Sequence, residues 1–486
     1  MELRLRQFAG RFTRIAAFVF IACALLLCAT ALMPTQKAYA VTDGWNEWGT
    51  CEWQIENDVL TIRPVDDGAT GTLEEAYGIY DAPWVDEAPY IERISIPKPL
   101  KADKMGAEEL FANLAYLESI DGFENIDFSE TLHLQGLFMG CSSLREVDLS
   151  NMDTSSALDL AEMFYGCSSL EVIDISTFNT SSVENMSYMF SGCSSLSDVN
   201  LTGIDTSRVE SFNAMFRDCS SLKQINLDNF NTTAATSFEA MFEGCSGLEK
   251  LNLKNFNTEN ATAMGEVDGI FGEGGMFEGC SSLTSLDLSN FNTSKVKTFS
   301  KMFSGCESLQ ELKIDGFDTS SGETFRGMFE NCKAIQNLDL SNFNTARALD
   351  LESMFAGCDS LQTVDVSTFD TSKVEDYCAM FKNCRALKEL NLAGFETNRA
   401  KSMAEMFSGC SSITELDLSS FTTSNVEDSN DSNDYRGIER MFENCSSLNS
   451  LNVASFDTSK ITNFQRLFAG CNSLSNLDIS NFNMSN

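Results

Sequence analysis

The stretch CSSLTSLDLSNFNTSKVKTFSKMFSG, residues 280 to 305, decides how this chain is read. Leu283, Leu286 and Leu288 are its first apolar positions. The last two flank Asp287, the alternation of a short strand with one buried face. Phe291 adds a further core position. Asn292-Thr293-Ser294 then offers side-chain oxygens suited to a helix N-cap. Val296, Phe299, Met302 and Phe303, spaced by three, three and one, predict one or two helical turns facing inward. Gly305 is expected to end that helix and turn the chain back. The stretch reads strand, turn, short helix, turn.

Cys306 begins the pattern again, and thirteen cysteines form a ruler: 141, 167, 193, 219, 245, 280, 306, 332, 358, 384, 410, 445 and 471. Ten of the twelve intervals are 26 residues and two are 35, so two modules carry nine extra residues each. A Phe stands eleven residues after the Cys in eleven modules, with Met152 and Ile204 as substitutes. One strand cannot bury its own face, so the modules must stack into a parallel sheet with inward-facing short helices. The expected fold class is an α/β solenoid of 26-residue modules behind a small β-rich amino-terminal cap domain.

The L-x-x-L-x-L core and 26-residue period lie within the leucine-rich-repeat range. The fuller module, M-F-x-G-C-S-S-L-x-x-L-D-L-S-x-F-N-T-S, resembles the bacterial surface protein 26-residue repeat of BspA-like leucine-rich-repeat surface proteins, over about Glu109 to Asn486. The resemblance implies export, display at the bacterial cell surface and, in some members, adhesion to host or neighbouring cells.

Composition narrows the function classes. Hydrophobic residues are 43% of the 486, enough for an extended core. A net charge of -38 argues against nucleic acid or anionic lipid, which need clustered cations. His133 is the only histidine, which weakens Ser-His-Asp, Cys-His and His-based zinc chemistry. The expectation is a non-enzymatic protein.

Residues 1–40 read as a signal peptide: Arg4, Arg6, Arg11 and Arg14, an uncharged run from Ile15 to Met33, then Pro34 and Ala38-Tyr39-Ala40, with cleavage expected before Val41. Left uncleaved, the run is long enough to span a bilayer, the one route to a membrane partner. Residues 41–108 hold all four tryptophans. Cys51 to Ile55 and Val59 to Ile62, joined at Asn57-Asp58, read as a hairpin, with Ile94 to Ile96 as a further strand. A packed cap over the solenoid end is the plain reading, and glycan binding by exposed tryptophans the alternative. A glycan-hydrolysing site there could draw only on Asp81, Asp86 and Glu87, without a supporting motif. Residues 109–486 form the solenoid, with Leu110 to His133 as a degenerate entry repeat holding Leu114 in the Cys place. After Phe482 comes no recognisable sorting signal, leaving the mode of anchoring open.

The cysteines lack C-x-x-C spacing and sit beside Phe, so they read as small buried hydrophobes. Neighbouring rungs ~4.8 Å apart do not suit the ~3.8 Å between Cβ atoms of a disulfide. Cys378, outside the ruler, is the thiol expected to react. Seven residues after each Cys stands an outward-facing polar residue, giving Asp148, Asp174, Asp287, Asp339, Asp365, Asp417 and Asp478 in a file otherwise filled mainly by Asn. Two readings stay open: a hydrogen-bonded structural ladder, or a face receiving a cationic or hydroxyl-rich ligand. The Gly-rich insertion between Met264 and Met276 reads as a protrusion. The other insertion places Asp428, Asn430, Ser432 and Asp434 at alternate positions with Glu439 in twelfth place, a spacing similar to an EF-hand calcium loop. It lacks the loop's Gly and flanking helices, so a solvated acidic loop is the plainer reading and no cofactor is required. The partner expected is a protein or glycan on a host or neighbouring cell; a stalk presenting residues 41–108 is the runner-up.

Overall fold

The computed structural model describes residues 44–73, 82–266, 274–428 and 436–483. The expected signal segment lies outside them. β1 (Asn46–Trp48), β2 (Cys51–Glu56) and β3 (Val59–Pro64) form an antiparallel meander. Asn57 and Asp58, at φ 53° and 64°, give the paired left-handed geometry of a type I′ hairpin turn. From β3 onward the pairing is parallel, through β5 (Arg93–Ser95) to β7 (Ser119–Asp121). β4 (Gly71–Leu73), β6 (Leu100–Ala102) and β8 (Ile126–Asp127) make a second parallel set.

In the repeats the strands are short and stack one coil apart. β9 (Val172–Asp174) pairs with β10 (Asp198–Asn200), β11 (Ser285–Asp287) with β12 (Glu311–Lys313), β13 (Asn337–Leu338) with β14 (Thr363–Val364), and β15 (Glu415–Asp417) with β16 (Ser450–Asn452). Leu283, Leu286, Leu288 and Phe291 are buried, as their spacing requires.

The expected short helices are not there. Among the described residues the only helical segments are two 3₁₀ pieces, Val85–Tyr90 and Phe123–Asn125, neither in a regular module. In their place are tandem turns. Met302 N–H donates to Phe299 O (3.2 Å) and Cys306 N–H to Phe303 O (3.1 Å), with Lys301 and Gly305 at φ 57° and 72° as the third residue of each turn. A left-handed residue every fourth position breaks an α-helix and is what a type II turn demands. Alternate amides leave the coil: Phe299, Lys301, Phe303 and Gly305 donate to Thr324, Arg326, Met328 and Glu330 of the next. An apolar spacing of three, three and one serves successive turns as well as it serves a helix. The result is a β-solenoid, its turn face stitched by parallel bridges from His133 and Asp159 through Asp350 and Asp376 to Gly437.

The Asn-Thr-Ser segment is not a helix cap either. Asn292 Oδ1 accepts the Ser294 N–H (3.1 Å), a local Asx turn. Thr293, fully buried, donates from Oγ1 to Asp318 O and accepts the Asp318 N–H on the same oxygen, both at 2.9 Å. A buried hydroxyl that gives and takes one bond ties each coil to the next.

Inside runs a column of rings. Trp84 stacks on Phe111, and Phe138, Phe164, Phe190, Phe216, Phe242, Phe277, Phe303, Phe329, Phe355, Phe381, Phe407, Phe442 and Phe468 follow, with adjacent centroids 5.4 to 6.3 Å apart. Trp48 and Trp53 meet Trp84 edge-on, closing the column at its head. The cysteine beside each Phe is a free thiol, and its Sγ donates to the backbone carbonyl of a Phe, as Cys332 does to Phe303 O at 3.2 Å.

Candidate functional site

The strand face is where the repeats present in-register chemistry to solvent. Asp148, Asp174, Asp287, Asp339, Asp365, Asp417 and Asp478 are all exposed. In each, Oδ1 accepts the backbone N–H of the serine two residues on, at 2.9 to 3.1 Å. These serines hold every one of the seven carboxyls below the ordinary carboxylate range. Asp287 goes lowest, to about 2, because Ser289 and Lys313 both donate to it. Lateral bonds join some rungs: Asn200 to Asp174 (3.1 Å), Lys313 to Asp287 (3.0 Å) and Asn452 to Asp417 (3.2 Å). Around Asp339 and Asp365 the face dips into a shallow groove completed by Asn337, Thr363, Glu389 and Asn391.

The turn face carries acids of another kind. Glu162, Glu243, Glu278, Glu330 and Asp376 are pushed up, first of all by burial. Glu243 and Asp376 each reach about 7, Asp376 also under the charges of Glu352 and Asp350. Cations thread between them: Arg217 to Glu243 (3.2 Å), Lys301 to Glu266 (3.0 Å), Arg326 to Glu352 (3.1 Å) and Arg440 to Glu439 (3.3 Å). Sequence reasoning passed over this row. Its signal is the Glu of Met-Phe-Glu-Gly-Cys at 241–245 and 276–280, a charge set between a buried Phe and a buried Cys.

The remaining expected residues are placed as follows. Asp428 Oδ2 takes the Thr462 N–H and Oγ1 (both 2.6 Å) and the Asn463 N–H (2.9 Å), pinning the second insertion to the following coil. Glu439 is buried and accepts Asn463 Nδ2 at 2.8 Å. Asn430, Ser432 and Asp434 lie outside the described residues, as does Asp81. Asp86 and Glu87 open the 3₁₀ segment Val85–Tyr90. His133 is half-buried at the start of the turn-face bridges. Cys378 is half-buried where most of the other described cysteines are fully buried, and burial, with Asp376, Glu352 and Glu405 nearby, pushes it up to about 12, which disfavours the thiolate.

Five segments spanning residues 106–224, 174–269, 274–390, 349–435 and 429–486 match the family described as "Mycoplasma protein of unknown function, DUF285". The chain belongs to the DUF285 family. DUF285 repeats thus account for the whole region ruled by cysteine, and the family carries no assigned function. No functionally curated protein matches the chain. Among solved structures it is similar to a leucine-rich-repeat protein from Bacteroides ovatus, at 18% identity and TM-score 0.40, covering 90% of this chain and 93% of that one. It is also similar to a leucine rich cell surface protein from Faecalibacterium prausnitzii, at 17% identity and TM-score 0.34, covering 71% and 94%. A leucine-rich-repeat protein from Eubacterium ventriosum gives 16% identity and TM-score 0.29, covering 66% and 96%.

Proposed function

We propose that this DUF285 protein is an exported, surface-displayed recognition or adhesion protein, non-enzymatic, that binds a protein or glycan ligand on a host or neighbouring cell through its strand face. The observation carrying this reading is the exposed file of seven aspartates held in register. Each side chain is fixed by its own Asx turn, so a ligand spanning several coils meets carboxylates that are already ordered, and weak contacts add along the file. The groove at Asp339, Asp365 and Asn391 is the centre proposed for that contact. With few aromatic or Arg anchors, each coil contributes modestly, and a basic ligand binds with strong salt dependence.

The test replaces Asp339, Asp365 and Asp417 together by Asn, which keeps the Oδ1 acceptor and removes three charges. Adhesion of the variant to cells should weaken while the fold is retained. Unchanged adhesion at low salt sinks the reading and leaves the file as a ladder in a structural stalk. The same Asx turns favour that stalk role, because they serve the backbone whether or not a ligand comes. Glycan binding by isolated residues 41–108 equal to that of the whole protein would select it.

A further inference from the structure

The nine-residue insertion of the module that begins at Cys245 leaves and rejoins its coil through a tight neck. Glu266 N–H donates to Ser300 O (2.9 Å), and Met276 N–H to Met264 O (2.9 Å). The returning limb is held by carboxylates from two successive coils. Gly274 N–H donates to Glu243 Oε2 at 3.2 Å, and Gly275 N–H to Glu278 Oε2 at 3.1 Å. Both acids converge on one spot: a Cβ added to Gly274 would sit 2.6 Å from Glu243 Cδ and 2.6 Å from Glu278 Oε2. At Gly275 it would fall 2.1 Å from Lys301 O, so neither position admits a side chain without a shift.

The charges facing this neck come from several coils. Arg217 lies 3.2 Å from Glu243, with Asp218 beside it; Lys301 lies 3.0 Å from Glu266 and 3.9 Å from Glu278. Glu330, influenced by Lys301, Arg326 and Lys382, continues the acidic row on the far side, and Glu239 is buried on the coil of Glu243. Glu243 and Glu278 have side chains only 19% and 25% exposed. Two carboxylates closing on one glycine repel when both are ionised, and a proton on either relieves that repulsion.

We propose that this neck is a proton-controlled clamp: Glu243 and Glu278 hold the insertion tightly when they carry a proton between them and loosen their grip when both are charged. Burial of Glu243, opposed by Arg217 and reinforced by Glu278, raises it from its ordinary 4.5 to about 7, which brings the change into the range between mildly acidic and neutral surroundings. The sign follows from linkage. The folded neck favours the protonated acid, so its stability is full below pH 4.5 and is lost as pH rises through about 7. Acidification tightens the clamp. This inference is independent of what the strand face binds.

Hydrogen exchange at the Gly274 and Gly275 amides of the full-length protein, corrected for intrinsic exchange, tests it between pH 5 and 8. The opening equilibrium should be roughly 10- to 100-fold larger at pH 8 than at pH 5. In Glu243→Gln, which keeps an acceptor oxygen but cannot titrate, the dependence should flatten. In Glu278→Gln, which removes the neighbouring charge, its midpoint should move to lower pH. A parent protein whose neck opens equally at both pH values overturns the clamp. So does a Glu243→Gln neck that keeps the full dependence, or a Glu278→Gln midpoint that does not move.

Discussion

On the strand face Asp339 and Asp365 stand in water, each donated a hydrogen bond by its own serine, and titrate below the ordinary range. On the turn face, at the other side of the same coils, Asp376 accepts a comparable bond from the Cys378 N–H (2.8 Å) and yet is driven up to about 7. The backbone bond is alike, so the further bond from the Ser367 side chain, burial and neighbouring charge decide. Solvent around Asp365 pays the cost of its charge, whereas Asp376 is desolvated beside Glu352 and Asp350. An acidic residue in a repeat therefore has no fixed meaning until its face is known.

The sharpest way to test whether the two faces are one body is to cut what they share. Phe329→Ala removes a fully buried ring from the central column and should cost about 3–5 kcal/mol. Hydrogen exchange should then quicken on both faces of the adjoining coils, and a loss confined to one face would show that they fold separately. Thr293→Val is smaller. It leaves the Asp318 N–H and carbonyl without their buried partner and should cost about 1–3 kcal/mol in urea unfolding.

The pH profile separates the faces. Turn-face acids, raised on folding, stabilise fully below their ordinary values near 4, and that contribution is lost as pH rises through about 7. Strand-face acids, lowered on folding, contribute above 3.8, and Asp287 loses its share only as pH falls through about 2. Thermal unfolding should thus show stability declining from pH 5 to 8, and the double variant Glu243→Gln, Asp376→Asn should remove most of that slope. An unchanged slope would mean that these acids are not desolvated. The smallest effect is expected from Asp365→Asn, an unfolding curve that overlays that of the parent, because the Ser367 N–H keeps its acceptor. A larger loss would assign the file a structural charge.

The period, the strand positions and the buried Phe were legible because they depend on which side chains avoid water. Leu283, Leu286, Leu288 and Phe291 had to point inward whatever the backbone did. The turn at Lys301 was not, because its left-handed backbone is carried in other coils by Glu162, Ser353, Glu405 and Arg440, residues that announce no such conformation. Coil-to-coil hydrogen bonds enforce it, and their partners lie 25 residues apart, in successive modules, as Phe299 and Thr324 do. Of the candidate site, the aspartate file could be read from its spacing. The buried acids of the turn face could not, since the tandem turns that bury Glu243 and Glu278 are not specified by the apolar spacing.

The head of the ring column has a consequence for observation. All four tryptophans precede residue 85, and Trp84 is packed edge-on beneath Trp48 and Trp53 and flat upon Phe111. Their emission therefore reports on the first coils alone, while circular dichroism averages the whole backbone. Followed by both signals, one denaturation becomes a ruler: the two curves coincide if coupling through the column reaches from Trp84 to the far coils, and their separation measures how many coils it takes for that coupling to fade.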